Sequence, residues 1–330
     1  MSRIAVLGAG AWGTALALSL ARQQRHDVTL WAHTPSHADA MRSTRENTQF
    51  LPGFTLPTDL AITHNLLQAA QDHDILLSVT PSQFLAETVR AIAPALRPSH
   101  VLISASKGLE DVTYRRMSEV VASITPVRFA TLGGPSFAKE VAAALPTAIV
   151  LASQDAEAAQ QLQRDFSSES LRVYSNDDVI GVELGAALKN VIALAAGVVD
   201  GLQLGSNASA ALITRGMAEI TRLAVAHGAR PETLSGLAGY GDLVLTCTGT
   251  LSRNRTVGVE LGRGRKLAEI IASLNGKVAE GVRCTPAALG LAARLGIEMP
   301  ITREMNAILH EGRSPADAIR SLMTRPGRSE

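Results

Sequence analysis

The stretch that most limits the fold lies near the start of the chain. Ile4, Val6 and Leu7 make a short strand-like run, and Gly8-Ala9-Gly10-Ala11-Trp12-Gly13 follows it directly, before an alanine- and leucine-rich helical stretch. In that context G-x-G-x-x-G spacing asks for a tight turn, close backbone approach to a ligand and close helix packing, with an anion facing the helix N-terminus. The ligand suited to such a turn is the pyrophosphate of a dinucleotide.

The first half repeats the pattern. Apolar runs at residues 4–7, 28–31, 75–79, 101–104, 128–132, 148–152 and 171–174 alternate with helical stretches at 14–22, 83–93, 117–123, 139–144 and 157–166. Such alternation predicts a mostly parallel sheet covered on both faces. Residues 33–57, with Pro35, Pro52, Gly53 and Pro57, read as a loop or short-helix insertion. After about Tyr174 helices are expected instead, over 182–202, 208–227, 265–274, 285–295, 302–311 and 315–323. Ser314 before Pro315 and Gly228 after His227 are visible caps. The expectation is an α/β chain with a Rossmann-like doubly wound sheet over residues 1–178 and an all-helical domain over 179–330. A length of 330 residues suits two cores better than one.

The helical half opens on an anomaly. Residues 179–199, VIGVELGAALKNVIALAAGVV, are apolar on nearly every helical face yet carry Lys189 in their middle. Glu183, the nearest acid, is six positions back, too far round the helix to meet it. A lysine covered on that face would titrate below its free value of about 10.4 and could give and take protons. The alternative is a lysine whose stem packs while its ammonium reaches water. Lys189 and Glu183 also interrupt the best membrane-length run, so no membrane insertion is expected. MSRIAVLGAG lacks the long apolar region of a secretory signal. Cys247 and Cys284 are isolated thiols without histidine clusters, which argues against a disulfide framework or a metal site and fits a reducing cytoplasm. A net charge of +1 gives no reason to expect nucleic acid.

Ligands of an open α/β sheet collect beyond the carboxyl ends of its strands. The second strand ends Trp31-Ala32-His33, with no acid to repel a 2′-phosphate, so NADP is acceptable as well as NAD; His33 is either a neighbour of that ribose or an exposed loop residue. In Val79-Thr80-Pro81-Ser82, Ser82 is a helix cap or a cofactor contact. Ser104-Ala105-Ser106-Lys107-Gly108 brings Lys107 to the crevice end, where it is either a mobile point charge that neutralises phosphate or polarises an oxygen, or a solvated loop lysine. Gly133-Gly134-Pro135-Ser136-Phe137-Ala138 lets backbone approach a ligand, with Ser136 a cap or a substrate contact. In the helical half, Gly239-Tyr240-Gly241-Asp242 puts a carboxylate in a glycine-rich turn, with Thr246 four residues on. Ser252-Arg253-Asn254-Arg255-Thr256 gathers guanidinium, amide and hydroxyl groups suited to forked recognition of phosphate.

In order along residues 6–281, the segments VLGAGAWGTALA, SASKGLE, GGPSFAKEVA, GAALKNVIALAAGVVDGL, GLAGYGDLVLTCT, SRNRTVG and VAEG resemble the bacterial type of NAD(P)-dependent glycerol-3-phosphate dehydrogenase. The resemblance implies reversible reduction of dihydroxyacetone phosphate to sn-glycerol 3-phosphate with NADH or NADPH, in the service of phospholipid synthesis. It implies that Lys189 transfers the proton and that Asp242 tunes it, with Thr246 a weaker support. Substrate contacts would be Lys107, Gly134, Ser136, Lys189, Asp242, Ser252, Arg253 and Asn254. Cofactor contacts would be Gly8, Gly10, Ala11, Trp12, Gly13, His33, Lys107, Ala138, Arg253, Val278 and Glu280. Ala11 departs from the family, where a hydroxyl residue is frequent, but its backbone N–H remains. A β-hydroxyacid or ketopantoate dehydrogenase is the neighbouring reading; it would want a carboxylate-binding site and have less use for residues 252–256. A dinucleotide-sensing module without chemistry is another, against which Lys189 and Asp242 speak. The apolar helices permit a homodimer but also suffice for a core of their own.

Overall fold

The computed structural model describes residues 1–274 and 279–326. Its first part runs β1 (Ser2–Leu7), α1 (Ala11–Ala21), β2 (His26–Trp31), α2 (Pro35–Thr44), β3 (Glu46–Asn47), β4 (Leu51–Thr55), β5 (Ala61–Thr63), α3 (Leu66–Asp72), β6 (Ile75–Ser78), α4 (Ser82–Ile92), β7 (Val101–Ser104), α5 (Met117–Ala122), β8 (Arg128–Gly133), α6 (Ala138–Ala142), β9 (Thr147–Ala152), α7 (Ala156–Phe166) and β10 (Leu171–Asn176). Helices alone follow: α8 (Val179–Gly201), α9 (Gly205–Ala226), α10 (Pro231–Ser235), α11 (Asp242–Thr248), α12 (Arg253–Gly262), α13 (Leu267–Ser273), α14 (Glu280–Arg294), α15 (Pro300–His310) and α16 (Pro315–Met323). By contacts the chain divides into two units. Unit 1 comprises Met1–Lys107 and Arg115–Glu183; unit 2 comprises Gly108–Tyr114 and Leu184–Glu330.

Unit 1 is organised by period-two alternation. Ile4 and Val6 of β1 enter one apolar layer and Ala5 and Leu7 the other, and Ile75 and Leu77 against Leu76 repeat this in β6. Leu16, Leu20, Leu162 and Phe166 from α1 and α7 cover the first layer, while Leu85, Val89 and Val120 from α4 and α5 cover the second. A strand buried on both faces is continuously apolar, which is why these runs are legible in the sequence. The sheet order is β10-β9-β8-β7-β6-β1-β2-β5, parallel except where β8 meets β9. Chain direction across the sheet reverses between β1 and β6, so the crevice beyond their carboxyl ends is the topological switch point.

The insertion expected over 33–57 contains α2 and also a two-stranded antiparallel hairpin, β3 and β4, too short for periodicity to announce. Its Asn47 is buried and donates through Nδ2 to Ala9 O at 2.9 Å and Thr14 Oγ1 at 2.7 Å, bracing the glycine turn from behind. β5 and α3, between residues 61 and 72, are likewise unannounced by the sequence.

In unit 2, α8 is long and apolar enough to cross a membrane by composition, yet 94% of that window is buried inside the fold. One of its neighbours is α12, whose backbone touches it: a Cβ on Gly197 would lie 2.1 Å from Arg255 O, and one on Gly258 would lie 2.0 Å from Leu194 O. Glycine on both helices is therefore what lets them meet at this distance. Elsewhere in the unit, buried Glu219 of α9 supplies the cap that α15 lacks, accepting from Ile301 N at 2.6 Å and Thr302 N at 3.3 Å. Burial pushes its carboxyl above the usual carboxylate range, against the pull of those N–H groups.

Candidate active site

The glycine turn of unit 1 is shaped by steric need. Gly8 sits at φ +129°, where a Cβ would come within 3.0 Å of Val79 O, and a Cβ on Gly13 would lie 1.8 Å from Gly8 O. At Gly10, by contrast, a Cβ would meet nothing within 4 Å, so the outer side of the turn is open. No side chain caps α1 and no acid occupies its first turn, leaving its N-terminal N–H groups and the positive end of its dipole for an anion. The indole Nε1 of Trp12 is buried with no hydrogen-bond partner. Room, free donors and an orphaned N–H together fit a dinucleotide.

Around this turn the neighbouring strand ends are tied by hydroxyls. Ser106 Oγ donates to Thr80 O at 2.6 Å, and Ser78 Oγ and Thr80 Oγ1 share a hydrogen bond at 3.1 Å. Ser82 is the first residue of α4 rather than its cap, which is Pro81. Three expected substrate contacts of unit 1 come together: Lys107 Nζ donates to Gly134 O at 3.3 Å, and Ser136 Oγ donates to the same carbonyl at 3.0 Å. Ser136 is not a cap either, since Phe137 occupies that position of α6. Ala138 joins Ala11 and Trp12 on a small cluster with Ala15 and Leu18. His33 is exposed and stands edge-on to Trp31, with ring centroids 5.8 Å apart. Glu183 is engaged within unit 1, accepting from Arg116 Nη1 at 2.8 Å and Ser118 N at 2.7 Å.

Unit 2 resolves the lysine anomaly. Lys189 is only 4% exposed and Asp242 only 1%, and the two form a direct ion pair. Lys189 Nζ also donates to Thr246 Oγ1 at 2.9 Å, while that hydroxyl donates to Asp242 O at 2.6 Å. Asp242 is the first residue of α11, where a carboxylate favours the helix dipole, and Thr246 lies one turn on along the same face. A buried ammonium of this kind is tolerable only because a carboxylate meets it. The partner is 53 residues away in sequence, beyond the reach of periodicity.

Next along α8, buried Asn190 accepts at Oδ1 from Asn254 Nδ2 at 3.0 Å, and Asn254 Oδ1 accepts from Gly281 N at 3.0 Å. A chain of amides thus links α8, α12 and the start of α14, where Glu280 is half-buried. Sequence reasoning misses Asn190 and Gly281; an amide inside an apolar helix, beside Lys189, is the available signal for the first.

The cluster at residues 252–256 is only partly turned to a ligand. Ser252 Oγ caps α12 through Arg255 N at 3.2 Å, Arg255 pairs with Asp200 at 2.7 Å, and Thr256 Oγ1 donates to Ser252 O at 3.0 Å. Arg253 is the exposed guanidinium of the set. Val278 lies outside the described residues. Burial pushes the thiols of Cys247 and Cys284 up to about 12, so neither is a nucleophile at neutral pH. Among the described residues, no group of three or more His, Cys, Asp or Glu side chains is placed to hold a metal.

A dinucleotide turn on a doubly wound sheet, with a lysine–carboxylate pair in a helical partner unit, defines the class: an NAD(P)-dependent oxidoreductase. The family models described as the NAD-dependent glycerol-3-phosphate dehydrogenase N-terminus and C-terminus match residues 3–159 and 178–320. The chain belongs to the NAD-dependent glycerol-3-phosphate dehydrogenase family. It is 58% identical to glycerol-3-phosphate dehydrogenase [NAD(P)+] of Acidobacterium capsulatum, over 100% of both chains. It is 55% identical to the Koribacter versatilis enzyme of the same name, over 100% of this chain and 99% of the other. The crystal structure of glycerol-3-phosphate dehydrogenase from Coxiella burnetii superposes with a TM-score of 0.94 at 42% identity, covering 98% of this chain and 99% of that one.

Proposed function

We propose that this protein catalyses the reversible NAD(P)H-dependent reduction of dihydroxyacetone phosphate to sn-glycerol 3-phosphate, in the cytoplasm, as a source of the glycerol backbone of phospholipids. The observation that carries the reading is the buried Lys189–Asp242 pair with Thr246 on the same ammonium. When bound, a reduced nicotinamide supplies the hydride. As negative charge grows on the carbonyl oxygen, Lys189 Nζ gives it a proton, so ketone, hydride and proton become the secondary alcohol. Asp242 holds the ammonium in place until then, and Thr246 fixes its direction.

Gly8, Gly10, Ala11, Trp12 and Gly13 would hold the dinucleotide pyrophosphate, with His33 beside the adenosine ribose and Ala138 and Glu280 as further contacts. Lys107, Gly134 and Ser136 would serve the substrate from residues 1–178, the nucleotide-binding domain. Arg253, aided by Ser252 and Asn254, would grip the phosphate from residues 179–330, the substrate domain. That phosphate takes no part in the chemistry, so binding energy gained there can place the carbonyl for reaction. The partners are small molecules; a homodimer through the helical domain is compatible with this reading.

The test is NAD(P)H oxidation followed at 340 nm with dihydroxyacetone phosphate, run with NADH and NADPH in parallel. Activity with either coenzyme supports the proposal; tight coenzyme binding without oxidation overturns it.

A further inference from the structure

Within unit 1 the hairpin of β3 and β4 is seated on α1 in two ways. Leu51 is buried in a cluster with Ala15 and Leu18, and Phe54 packs on the same cluster. The polar contact comes from Asn47, which is only 1% exposed and has all four of its hydrogen-bonding positions taken. Nδ2 gives one hydrogen to Ala9 O and one to Thr14 Oγ1, while Oδ1 accepts from His37 Nε2 at 3.0 Å and from Phe50 N at 3.2 Å. Thr14 N in turn donates to Gly10 O at 2.9 Å, so the amide closes a ring through residues 9, 10 and 14. The Ala9 carbonyl and the Gly10 N–H share one planar trans peptide and therefore point opposite ways. Holding that carbonyl against Asn47 aims the N–H away from the hairpin, on a residue where a Cβ would meet nothing within 4 Å.

We infer that Asn47 is a positioning residue for the coenzyme: its amide, oriented by His37, sets the plane of the Ala9–Gly10 peptide so that the Gly10 N–H is aimed in advance at the pyrophosphate. Glycine on both sides of Ala9 leaves rotation of that plane easy, so without the amide the coenzyme itself would have to order the turn and would bind more weakly. Substitution is therefore felt in coenzyme binding before it is felt in the chemistry. The inference rests on the reading of the glycine turn as the coenzyme site.

Equilibrium titration of the full chain with NADPH, beside steady-state kinetics with dihydroxyacetone phosphate, tests it. Asn47→Ala should raise the Kd for NADPH about tenfold, while kcat and the ketone KM at saturating coenzyme change by less than about threefold. Asn47→Asp should lose at least as much affinity, because a carboxylate cannot donate to Ala9 O and sets a negative charge behind a turn that takes an anion. If Asn47→Ala does not fold, His37→Phe carries the test at a half-buried position. It should raise the same Kd about threefold, and His37→Gln, whose amide can donate from the place of Nε2, should return it to the wild-type value. A wild-type Kd in Asn47→Ala, or in His37→Phe where the former is unfolded, overturns the inference alone, as does a fall in kcat that matches the loss of affinity. Failure of the wild type to bind NADPH or NADH overturns the reading of the turn as well.

Discussion

The sheet end of unit 1 and the helix crossing of unit 2 use polarity in opposite ways. Around Gly8 to Gly13 the groups offered to a ligand are main-chain N–H donors on an open turn, and the side chains between the glycines are mostly small. Around Lys189 the main chain is consumed by helices, and the polar atoms that remain are side chains buried in pairs. A main-chain site depends on shape and forgives changes of side chain. A buried side-chain site concentrates its function in a few groups that cannot be exchanged.

Breaking the second kind of site should therefore have the largest effect. Lys189→Ala is expected to lower kcat by about 10²- to 10⁴-fold with KM for dihydroxyacetone phosphate much less changed. Near-normal turnover in that variant would remove Lys189 from proton transfer. Arg253→Ala, at an exposed guanidinium, should raise KM for the phosphorylated ketone by about 10- to 100-fold, the loss of a charge-assisted hydrogen bond. Dihydroxyacetone itself should be indifferent to the change, and equal losses on both ketones would refute a phosphate role.

Buried charge in unit 2 also has a pH signature that the half-exposed Arg3–Asp74 pair of unit 1 cannot match. The Glu219 carboxyl is raised by burial, so the folded chain keeps its proton to higher pH than the unfolded chain does. Stability from this group is full below the unfolded value of about 4.3 and is lost as pH rises through the folded one. Glu219→Gln removes that titration. Its melting temperature relative to wild type should accordingly rise by about 2 °C between pH 4 and pH 7.5, and a pH-independent difference would show that Glu219 titrates normally. Smallest of all should be Ala11→Ser in the open turn, where coenzyme KM is expected to move by no more than about threefold; a larger change would mean that side chains matter there after all.

The same contrast explains what a sequence can reveal in advance. Strands buried on both faces and the turn after the first of them leave local marks, so the parallel sheet and its nucleotide end are visible as periodicity and glycine spacing. The segment from 231 to 262 reads as turns and polar clusters, yet it folds into α10, α11 and α12. Its glycines are the reason: Gly258 looks like a helix breaker in isolation and is a helix contact in place. Lys189 announces itself as a misfit and Asp242 as a carboxylate in a glycine-rich turn, but nothing local couples the two, because no local rule joins residues that meet through tertiary packing. Asn190, Asn254 and Gly281 form their link in the same way, across three helices.

The apolar α8 has one more consequence, and it concerns time. Its covering helices α12 and α14 are encoded after it, the last of them ending at Arg294, roughly ninety residues downstream of Gly201. At a synthesis rate of about 5–20 residues per second, α8 waits on the order of 5–20 seconds outside the ribosome before the groups that shelter it have been translated. During that interval a helix long and apolar enough to suit a membrane stands uncovered, and Lys189, the proposed proton donor, is the one cation within it.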